Sequence, residues 1–353
     1  MNINYNFKRL YDNIHGYIVI SNLACKIIDT KYFQRLRLLH QLGTCHYVFT
    51  GAIHTRFEHS IGTYFLAGKL IDCIIDRTNE KNLNDFLLKN EYIKKYFKRI
   101  NHTGYLTIDN YLKEVIKIAG LCHDLGHGPF SHVFDDIFLP SIKNKESKYE
   151  DHHENRSCLI IEKIILNNEF LKNTIHENEI NFIKRLINPK KEDNSFLFQI
   201  ISNNVNGLDV DKYDYLMRDA RNIGLTYSID CSRLIHDVYI IDNNICYPKQ
   251  VFHNIKYLFE TRYRLHKRVY CHHTVKSLEI IINQILMRIK NTTHLNLEDL
   301  YDDIIWFPFG DQLIKDLQGK LLFRLIRTAS LGAEKKGKMI SSTLEHPASM
   351  SAM

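Results

Sequence analysis

Histidine and aspartate side chains recur in this chain at positions that could hold a divalent metal ion. His123 and Asp124 are adjacent at the end of an apolar run, His59 lies upstream in Arg-Phe-Glu-His, and Asp211 lies downstream in Asp-Lys-Tyr-Asp-Tyr. Imidazole and carboxylate groups suit iron, manganese, zinc, magnesium or nickel. The order His, His-Asp, Asp therefore predicts a four-ligand metal centre and indicates a metal-dependent phosphohydrolase.

A single His-Asp pair has a plainer explanation, which is a helix-capping aspartate beside a core histidine. Adjacent side chains on a helix diverge by about 100°. His123 and Asp124 can therefore share one ion only near the end of the helix axis, or where the helix bends. Three separate motifs in this order favour the metal centre over the plainer explanation.

Further histidines near this pair could transfer protons. His127 lies four residues after His123 and would share its helix face if the helix continued through the glycines between and after them. His132 and Asp135 follow, and His153 comes after a polar segment. An imidazole can give or accept a proton near neutral pH during phosphoryl transfer. The cluster predicts acid–base chemistry beside the metal.

The composition is that of a soluble globular protein: 44% of the 353 residues are hydrophobic and 25% are charged. The N-terminus has no signal-peptide core, and no apolar run approaches the roughly 20 residues that span a bilayer. Eight scattered cysteines without a Cys-x-x-Cys motif predict an intracellular protein, cytoplasmic or nuclear. The net charge of +7 would attract nucleotides or nucleic acid, although a general richness in Lys, Asn and Ile explains it equally well.

The hydrophobic periodicity predicts a mainly α protein with a small β-hairpin element. A hairpin is predicted at 237–245 with its turn at Asp242. The polar segments 78–83, 141–150 and 188–195 are predicted to be surface loops. Apolar residues recur at helical spacing in 32–42, 61–76, 111–121, 157–165, 179–187, 251–268 and 274–289.

The C-terminal part differs from the rest of the chain. Asparagine is frequent up to Asn296 and absent afterwards, and 328–353 offers no amphipathic face. We therefore expect a catalytic domain over 1–291, an atypical or truncated segment over 292–353, and disorder over 328–353.

Longer motifs resemble the HD-domain deoxynucleoside triphosphate (dNTP) triphosphohydrolases, most closely the branch that in animals also carries a sterile alpha motif. The resemblance runs from about Lys8 to Asn291, and no sterile alpha motif is expected ahead of it. It implies an HD-domain helical bundle. The matching phrases are Phe-Gln-Arg-Leu-Arg at 33–37, Gln-Leu-Gly at 41–43, Arg-Phe-Glu-His-Ser-Ile-Gly at 56–62, Gly-Leu-Cys-His-Asp-Leu-Gly-His-Gly-Pro-Phe-Ser-His at 120–132 and Asn-Gly-Leu-Asp-Val-Asp-Lys-Tyr-Asp-Tyr at 206–215.

The resemblance implies a reaction and roles for the residues already singled out. Water would attack the α-phosphorus of a dNTP and yield a deoxynucleoside and intact triphosphate. His127, Asp135 and His153 would orient or activate that water, and His132 would protonate the leaving 5′-oxygen. The implied metal ligands are His59, His123, Asp124 and Asp211.

The resemblance also implies a substrate pocket. Basic side chains would hold the triphosphate, two polar ones would bind the sugar 3′-hydroxyl, and three others would wall the sugar where a ribose 2′-hydroxyl would clash. Cys271 stands where the animal proteins have glutamine, so the base contacts would differ. The residues for the triphosphate are Arg56, Lys212 and Arg262. Those for the 3′-hydroxyl are Gln41 and Asp219. Those for the wall around the sugar are Leu42, Tyr215 and Tyr270.

A GTP or dGTP activator site and self-association to a dimer or tetramer are implied as well. A carboxylate can accept from guanine, and basic groups can neutralise its phosphates. A plainer explanation is that Arg37 is a solvent-facing charge and Asp29 a cap. His273 stands at a lysine position, so we expect weak assembly. The implied activator residues are Lys8, Asp29, Gln34 and Arg37, with Val48, Phe49, Arg233 and Asn254 at a neighbouring deoxynucleotide site.

Two other functions remain open. The chain could be an HD phosphohydrolase acting on another nucleotide, such as a monophosphate or a cyclic nucleotide, because fold does not fix substrate. It could also be a non-catalytic nucleic-acid-binding HD protein. The basic residues and Tyr215 favour a deoxynucleoside triphosphate over the first, and the complete ligand set weighs against the second.

Overall fold

A computed structural model describes residues 7–142, 152–225 and 230–293, with side chains described through Arg288. Within these ranges the chain is mainly helical with two small antiparallel strand pairs, which confirms the predicted fold class. No described helix is both long and apolar enough to cross a bilayer. The helices are α1 (Asn22–Ile28), α2 (Lys31–Gln34), α3 (Arg56–Arg77), α4 (Glu80–Leu87), α5 (Glu91–Arg99), α6 (Asn110–Cys122), α7 (Leu139–Ile142), α8 (His153–Leu166), α9 (Glu169–Thr174), α10 (Glu177–Ile187), α11 (Val210–Asn222), α12 (Ser232–His236), α13 (Phe252–Leu265) and α14 (His273–Thr293).

Helix α3 lies at the centre of the bundle and packs against α6 and α11. Its start is fixed by a capping box, in which Thr55 and Glu58 satisfy each other's backbone N–H groups. Asp109 caps α6 and Asp209 caps α11. Because each cap fixes where its helix begins, the caps set which residues lie at the ends that meet in the interior.

The predicted hairpin is present as β3 (Tyr239–Ile241) and β4 (Asn244–Cys246). Asp242 and Asn243 form its two-residue turn with φ angles of 46° and 63°. Short polar residues tolerate this left-handed region, which matches the twist of a tight hairpin.

A second hairpin, β1 (Lys8–Asp12) and β2 (Gly16–Ile20), was not predicted. In β2 the residues alternate, with Ile18 and Ile20 fully buried against the core and Tyr17 and Val19 exposed. Each strand has only five residues, and the large exposed side chains conceal the alternation in the sequence. This hairpin reaches the functional site, as described below.

Two local predictions were wrong, and the condition for a third was not met. Helix α2 ends at Gln34, a 3-10 turn covers Arg35–Leu38, and the chain is extended at Leu39, because His40 pairs with Thr55 as an isolated bridge. The segment 78–83 is not all loop, since Asn79 caps α4. Helix α6 ends at Cys122, so His127 shares no helix with His123.

A smaller hydrophobic cluster lies beside the main core. Phe134 and Phe138 belong to a π-helical segment at Val133–Phe138, and they pack with Ile282 and Leu286 of α14. This packing places α14 next to the segment that carries the predicted acid–base residues.

The predicted boundary at 291 falls in the last turn of α14. The segment 292–353, including 328–353, lies outside the described residues except for its first two. Residues 143–150 of the loop predicted at 141–150 also lie outside them, and residues 141 and 142 end α7. The catalytic domain over 1–291 stays a prediction.

Candidate active site

Three helix ends bring the four predicted metal ligands together. His59 lies in the first turn of α3, His123 caps the C-terminus of α6 and is followed by Asp124, and Asp211 lies in the first turn of α11. Because α6 stops at Cys122, His123 and Asp124 are in a turn and not on a continuous helix. The difficulty that adjacent helical side chains diverge therefore does not arise.

The spacing of these donor atoms suits one ion. The Nε2 atoms of His59 and His123 lie 3.2 Å apart, and Asp211 Oδ1 lies 3.1 and 3.5 Å from them. Asp124 Oδ1 lies 3.3 Å from His123 Nε2. Two donors each about 2.1 Å from a metal, at tetrahedral or octahedral angles, lie about 3.0–3.4 Å apart. The group could hold a divalent ion.

The other ring nitrogens are occupied, which turns both Nε2 atoms inward. His59 Nδ1 lies 2.8 Å from an Asp214 carboxylate oxygen, and His123 Nδ1 lies 2.8 Å from the Gly120 carbonyl oxygen. In neutral rings, Nδ1–H donors at these contacts leave the Nε2 lone pairs facing the common centre.

Carboxylates make this centre favourable for positive charge. Burial lowers the pKa of His59, but hydrogen bonds to Asp211 and Asp214 outweigh it and raise the pKa to about 10. Burial also opposes charge on His123, yet Asp124 and Asp211 raise its pKa. The electrostatic surroundings stabilise a cation here, whether proton or metal ion.

The predicted acid–base residues form one cluster next to these donors. The rings of His127 and His153 are stacked with centroids 3.8 Å apart, and Asp135 Oδ2 lies 3.0 Å from His127 Nδ1 and 3.5 Å from His153 Nδ1. His127 Nε2 lies 3.4 Å from Asp124 Oδ1. The cluster therefore shares a carboxylate with the donor set.

Electrostatics acts in the same direction on two histidines of this cluster. Burial, followed by the charge of His127, holds the pKa of His153 well below its ordinary value, so its ring is neutral and a weaker base than an ordinary imidazole. Desolvation and the charges of His127 and Arg56 lower the pKa of His132. Because the His132 side chain is 66% exposed, we attribute more of this lowering to the charges than to desolvation.

Buried groups hold the loop that carries Asp124 and His127. Arg35 donates to the carbonyl oxygens of Leu125 and His127 at 2.6 and 2.7 Å, and Arg156 donates to that of Gly126 at 2.8 Å. A Cβ on Gly126 would lie 2.1 Å from the His153 carbonyl oxygen. Only glycine fits where this loop meets the start of α8.

A strained turn follows the loop. Phe130 and Ser131 both have positive φ angles, 60° and 56°, which are uncommon for residues with a Cβ. The turn directs Ser131 Oγ to the His40 carbonyl and lets it accept from Arg56 Nε at 2.9 Å. Arg56 Nη1 also donates to Asp124. The turn therefore fixes a predicted phosphate-binding residue beside a predicted ligand.

One cavity of about 500 Å³ collects most of the predicted residues. Its lining also includes His266, Lys276 and Glu279, which the sequence analysis did not single out. Asp135 lies behind the wall, next to His127. The predicted residues that line the cavity are Asp124, His127, His132, His153, Asp211, Gln41, Leu42, Arg56, Lys212, Tyr215, Asp219, Arg262 and Tyr270.

The cavity is short of positive charge for an anionic ligand. Among the described residues that line it, four are basic, Arg56, Lys212, Arg262 and Lys276, and six are acidic, Asp124, Asp136, Glu154, Asp211, Asp219 and Glu279. A polyanion would be repelled unless a cation offset these carboxylates. The charge balance thus agrees with the donor geometry in favouring a bound divalent ion.

Three described lining residues have unsatisfied polar atoms: His127 Nδ1, which lies 3.0 Å from Asp135 Oδ2, and the two atoms named next. Gln41 Oε1 and Arg56 Nη2 are buried without a hydrogen-bond partner among the described residues. Buried polar atoms rarely lack a partner in a folded protein, and each such atom suggests a ligand or water. A polar ligand in the cavity would satisfy both.

The remaining predicted substrate residues are already held in place. Tyr270 and His54 contact the two oxygens of Asp219, at 2.6 and 2.7 Å. Arg262 Nε donates to the Tyr215 hydroxyl at 3.3 Å, and Lys212 Nζ pairs with Asp209 at 2.8 Å. These contacts fix the side chains that form the wall of the cavity.

Four of the predicted activator residues form a continuous surface. Lys8 pairs with Asp29 at 3.0 Å, and Arg37 Nε donates to Gln34 Oε1 at 2.9 Å. The Gln34 amide in turn donates to the carbonyl of Ile28, the neighbour of Asp29. Arg37 lies in the 3-10 turn and not in the helix predicted over 32–42, yet its side chain meets that of Gln34.

The other activator residues lie on different elements. Val48 is half-buried against the main core, Arg233 in α12 contacts Asp237, and Asn254 is in the first turn of α13. No hydrogen bond or ion pair within the described parts of the chain joins these three to Lys8 or Asp29.

Several residues that support the site were missed by the sequence analysis. Asp214 stood within a quoted motif, and its position three residues after Asp211 could have indicated a shared helix face. Arg35 and Ser131 also stood within quoted motifs. Asp12, His15, His54 and Arg156 carried no local signal, because their partners are far away in the chain. Arg218 pairs with Asp214, four residues before it, and with the distant Asp12.

Comparison with known proteins agrees with this geometry. The HD domain family matches residues 93–216, which include His123, Asp124 and Asp211. The HD domain-containing protein L394 of Acanthamoeba polyphaga mimivirus is 46% identical over 275 residues, which cover 77% of this chain and 56% of that protein. The motif-based resemblance is thereby confirmed at the level of the domain.

Two further relatives bear a more specific name. A protein of Dictyostelium discoideum named deoxynucleoside triphosphate triphosphohydrolase SAMHD1 homolog is 38% identical, with 78% of this chain and 48% of that protein covered. The human deoxynucleoside triphosphate triphosphohydrolase SAMHD1 is 34% identical, with 80% and 44% covered. The chain spans about half the length of these curated relatives.

Proposed function

This chain carries an HD domain and is related to the SAMHD1-type dNTP triphosphohydrolases, and on that premise we propose that it hydrolyses dNTPs to deoxynucleoside and inorganic triphosphate. One observation carries the proposal: two of the four predicted metal ligands, three of the four acid–base residues and all the predicted substrate residues line a single cavity. The metal would be held by His59, His123, Asp124 and Asp211, and iron, manganese, zinc and magnesium all suit this set. When bound, the ion would supply positive charge against the phosphate under attack.

The protein's own groups would handle the protons. His153, whose neutral ring lines the cavity, would accept a proton from the attacking water. Asp135 would hold the two stacked rings, since it contacts both. His132, exposed at the cavity wall, would donate to the leaving 5′-oxygen after the negative triphosphate has raised its pKa.

The substrate would be held by groups of matching chemistry. Arg56 presents a buried, unpaired Nη2, and Arg262 and Lys212 line the same cavity, so the three would hold the triphosphate. Gln41 and Asp219 would bind the sugar 3′-hydroxyl. The bond between the α-phosphorus and the 5′-oxygen would break as the water oxygen bonds to that phosphorus.

Product analysis tests this proposal. Each of the four dNTPs and GTP is incubated with the protein and Mg²⁺ or Mn²⁺, and the products are separated by ion-exchange chromatography. Deoxynucleoside and triphosphate in equal amounts would support the proposal. Release of inorganic phosphate or pyrophosphate, or turnover of monophosphates alone, would favour an HD phosphohydrolase of another type. Salt-sensitive single-strand binding without turnover would favour the nucleic-acid binder.

Ribonucleotides are expected to be poor substrates. Tyr215, with Leu42 beside it, would leave no room for a 2′-hydroxyl, and even a loose apolar wall discriminates against an added hydroxyl by about 10². The measurement is the ratio of kcat/KM for dATP to that for ATP. Tyr215→Phe keeps the ring and should keep the ratio, whereas Tyr215→Ala should lower it. Comparable turnover of ATP and dATP by the unaltered protein would contradict the assignment.

We also propose GTP or dGTP as an activator at the surface formed by Lys8, Asp29, Gln34 and Arg37, with association to a dimer or tetramer. The exposed Asp29 carboxylate would accept from the guanine base after leaving Lys8 free for phosphate. GTP should raise dNTP turnover modestly, and Asp29→Ala should remove that rise without changing the rate in the absence of GTP. Unchanged rate and sedimentation on adding GTP would refute this site.

A further inference from the structure

The turn of the N-terminal hairpin reaches the interior of the protein. Asp12 ends β1, and its Oδ1 accepts from the backbone N–H groups of Ile14 and His15 at 2.8 and 2.9 Å. Gly16, with φ of +73°, then starts β2 in a conformation that suits glycine. The turn fixes the backbone of His15, and the His15 side chain is only 6% exposed.

His15 contacts a carboxylate that also contacts a predicted metal ligand. Its Nε2 lies 2.6 Å from Asp214 Oδ1, while Asp214 Oδ2 lies 2.8 Å from His59 Nδ1. Arg218 donates to both Asp214 oxygens at 2.8 and 2.9 Å, and its Nη1 donates to Asp12 Oδ2 at 2.8 Å. Asp12, His15, Asp214 and Arg218 thus form a buried network ending at His59.

Packing leaves this network little freedom to move. A Cβ on Gly62 of α3 would lie 1.8 Å from Asp214 Oδ1 and 2.6 Å from Arg218 Nη2. Helices α3 and α11 therefore approach each other closely at the point where Asp214 faces His59. The carboxylate is confined between His15 on one side and His59 on the other.

Arg218 alone could balance the charge of Asp214, so the charge balance does not require His15. What His15 adds is a hydrogen-bond donor to the oxygen that His59 does not use. His15 contacts Asp214 Oδ1, so Asp214 Oδ2 stays directed at His59 Nδ1 as a hydrogen-bond acceptor. An Nδ1–H donor there leaves the His59 Nε2 lone pair facing His123 and Asp211, at 3.2 and 3.1 Å.

We propose that Asp12 and His15, in the turn of the N-terminal hairpin, are positioning residues of the metal centre and orient His59 through Asp214 and Arg218. The inference rests on the proposed metal-dependent function. It assigns the hairpin a role in metal affinity that is separate from its contact with Asp29 through Lys8.

The test is the affinity for Mn²⁺ alone, measured by calorimetric titration of metal-free protein, with no nucleotide present. His15→Phe fills the same space without the donor and should weaken Mn²⁺ binding by up to about 10-fold, the low end of the effect of removing a direct partner of a ligating histidine, because His15 acts through Asp214. His15→Gln restores an N–H donor and should recover most of the loss. The control is Val19→Thr, on the exposed face of the same hairpin, which should bind as the unaltered protein does.

Thermal unfolding of each metal-free variant separates positioning from stability. A lower Tm for His15→Phe with unchanged Mn²⁺ affinity would overturn the proposal, because the network would then serve only folding. Should His15→Phe fail to fold, Asp12→Asn provides the second variant, since it keeps an acceptor for the turn and loses the charge opposite Arg218. It should weaken Mn²⁺ binding in the same direction, and unchanged binding would likewise overturn the proposal.

The two proposals fail in different ways. If the unaltered protein binds no divalent metal, the metal-dependent function fails and this inference fails with it. A different result would refute only the positioning role. In that case the unaltered protein binds Mn²⁺, His123→Ala abolishes binding, and both His15→Phe and Asp12→Asn bind Mn²⁺ normally.

Discussion

Replacing His123 by alanine is expected to remove both the bound metal and the hydrolytic activity while leaving the helical content intact. His123 Nε2 lies 3.2–3.5 Å from donor atoms of His59, Asp124 and Asp211. Its loss therefore removes a donor that adjoins all three of the others. Groups that act as a unit are not additive in their effects, and one deletion should cost nearly as much as two.

The measurements are metal content by elemental analysis, turnover of dNTPs, and far-UV circular dichroism. Asp211→Ala should behave in the same way as His123→Ala. The matched control is His102→Ala, which removes an exposed histidine whose Nε2 lies near the Tyr105 carbonyl oxygen. Either ligand variant retaining more than about a tenth of the unaltered activity would refute the ligand assignment.

His153→Ala is expected to slow turnover by about 10²–10⁴, because a general acid or base usually contributes a rate factor of that size. The metal should stay bound. The His153 ring stacks on His127 and contacts Asp135. Its donor nitrogen lies within 4.8 Å of an Asp124 oxygen, but none of its contacts with other described residues is with His59, His123 or Asp211. Its removal should therefore affect proton transfer and spare the donor set.

His132→Asn should slow turnover to a similar extent, again with the metal retained. For both variants the informative comparison is kcat at saturating dNTP against metal content per chain. Full activity in both would assign the proton transfer to other residues, whereas loss of metal in either would mean that the two clusters are not independent.

The four donor residues could be predicted from the sequence because they lie in three short motifs, one of which holds both His123 and Asp124. The sequence could not predict how His123 and Asp124 share one centre, since that depends on α6 ending at Cys122. The end of the helix is set by tertiary contacts, in which Ser157 accepts from the Gly126 N–H and donates to the His123 carbonyl.

The buried network that ends at His59 could not be predicted from the sequence, because it too depends on tertiary contacts. His15 and Asp214 are 199 residues apart, and Asp12 and Arg218 are 206 apart, so no local pattern joins them. The hairpin that carries Asp12 and His15 was itself missed. The β3–β4 hairpin, in contrast, was predicted because Asp242 and Asn243 give a local turn signal.

At the activator surface, the contact between two side chains agrees with the sequence pattern, whereas the predicted helix does not form as expected. Gln34 and Arg37 do meet, although the predicted long helix over 32–42 is replaced by a short helix and a 3-10 turn. Spacing of three residues brings side chains together in either kind of helix. The extended segment after Leu38 is what brings Gln41 and Leu42 to the cavity, and it follows from the pairing of His40 with Thr55.

The position of the cleaved bond is the most direct test of whether water attacks the α-phosphorus of a dNTP. Hydrolysis of dATP in water enriched in ¹⁸O, with mass spectrometry of the products, reports which phosphorus the water attacks. The account predicts one ¹⁸O atom in intact triphosphate and none in deoxyadenosine, because the bond from the α-phosphorus to the 5′-oxygen breaks. Label in inorganic phosphate, or in a nucleotide that keeps its α-phosphate, would contradict it.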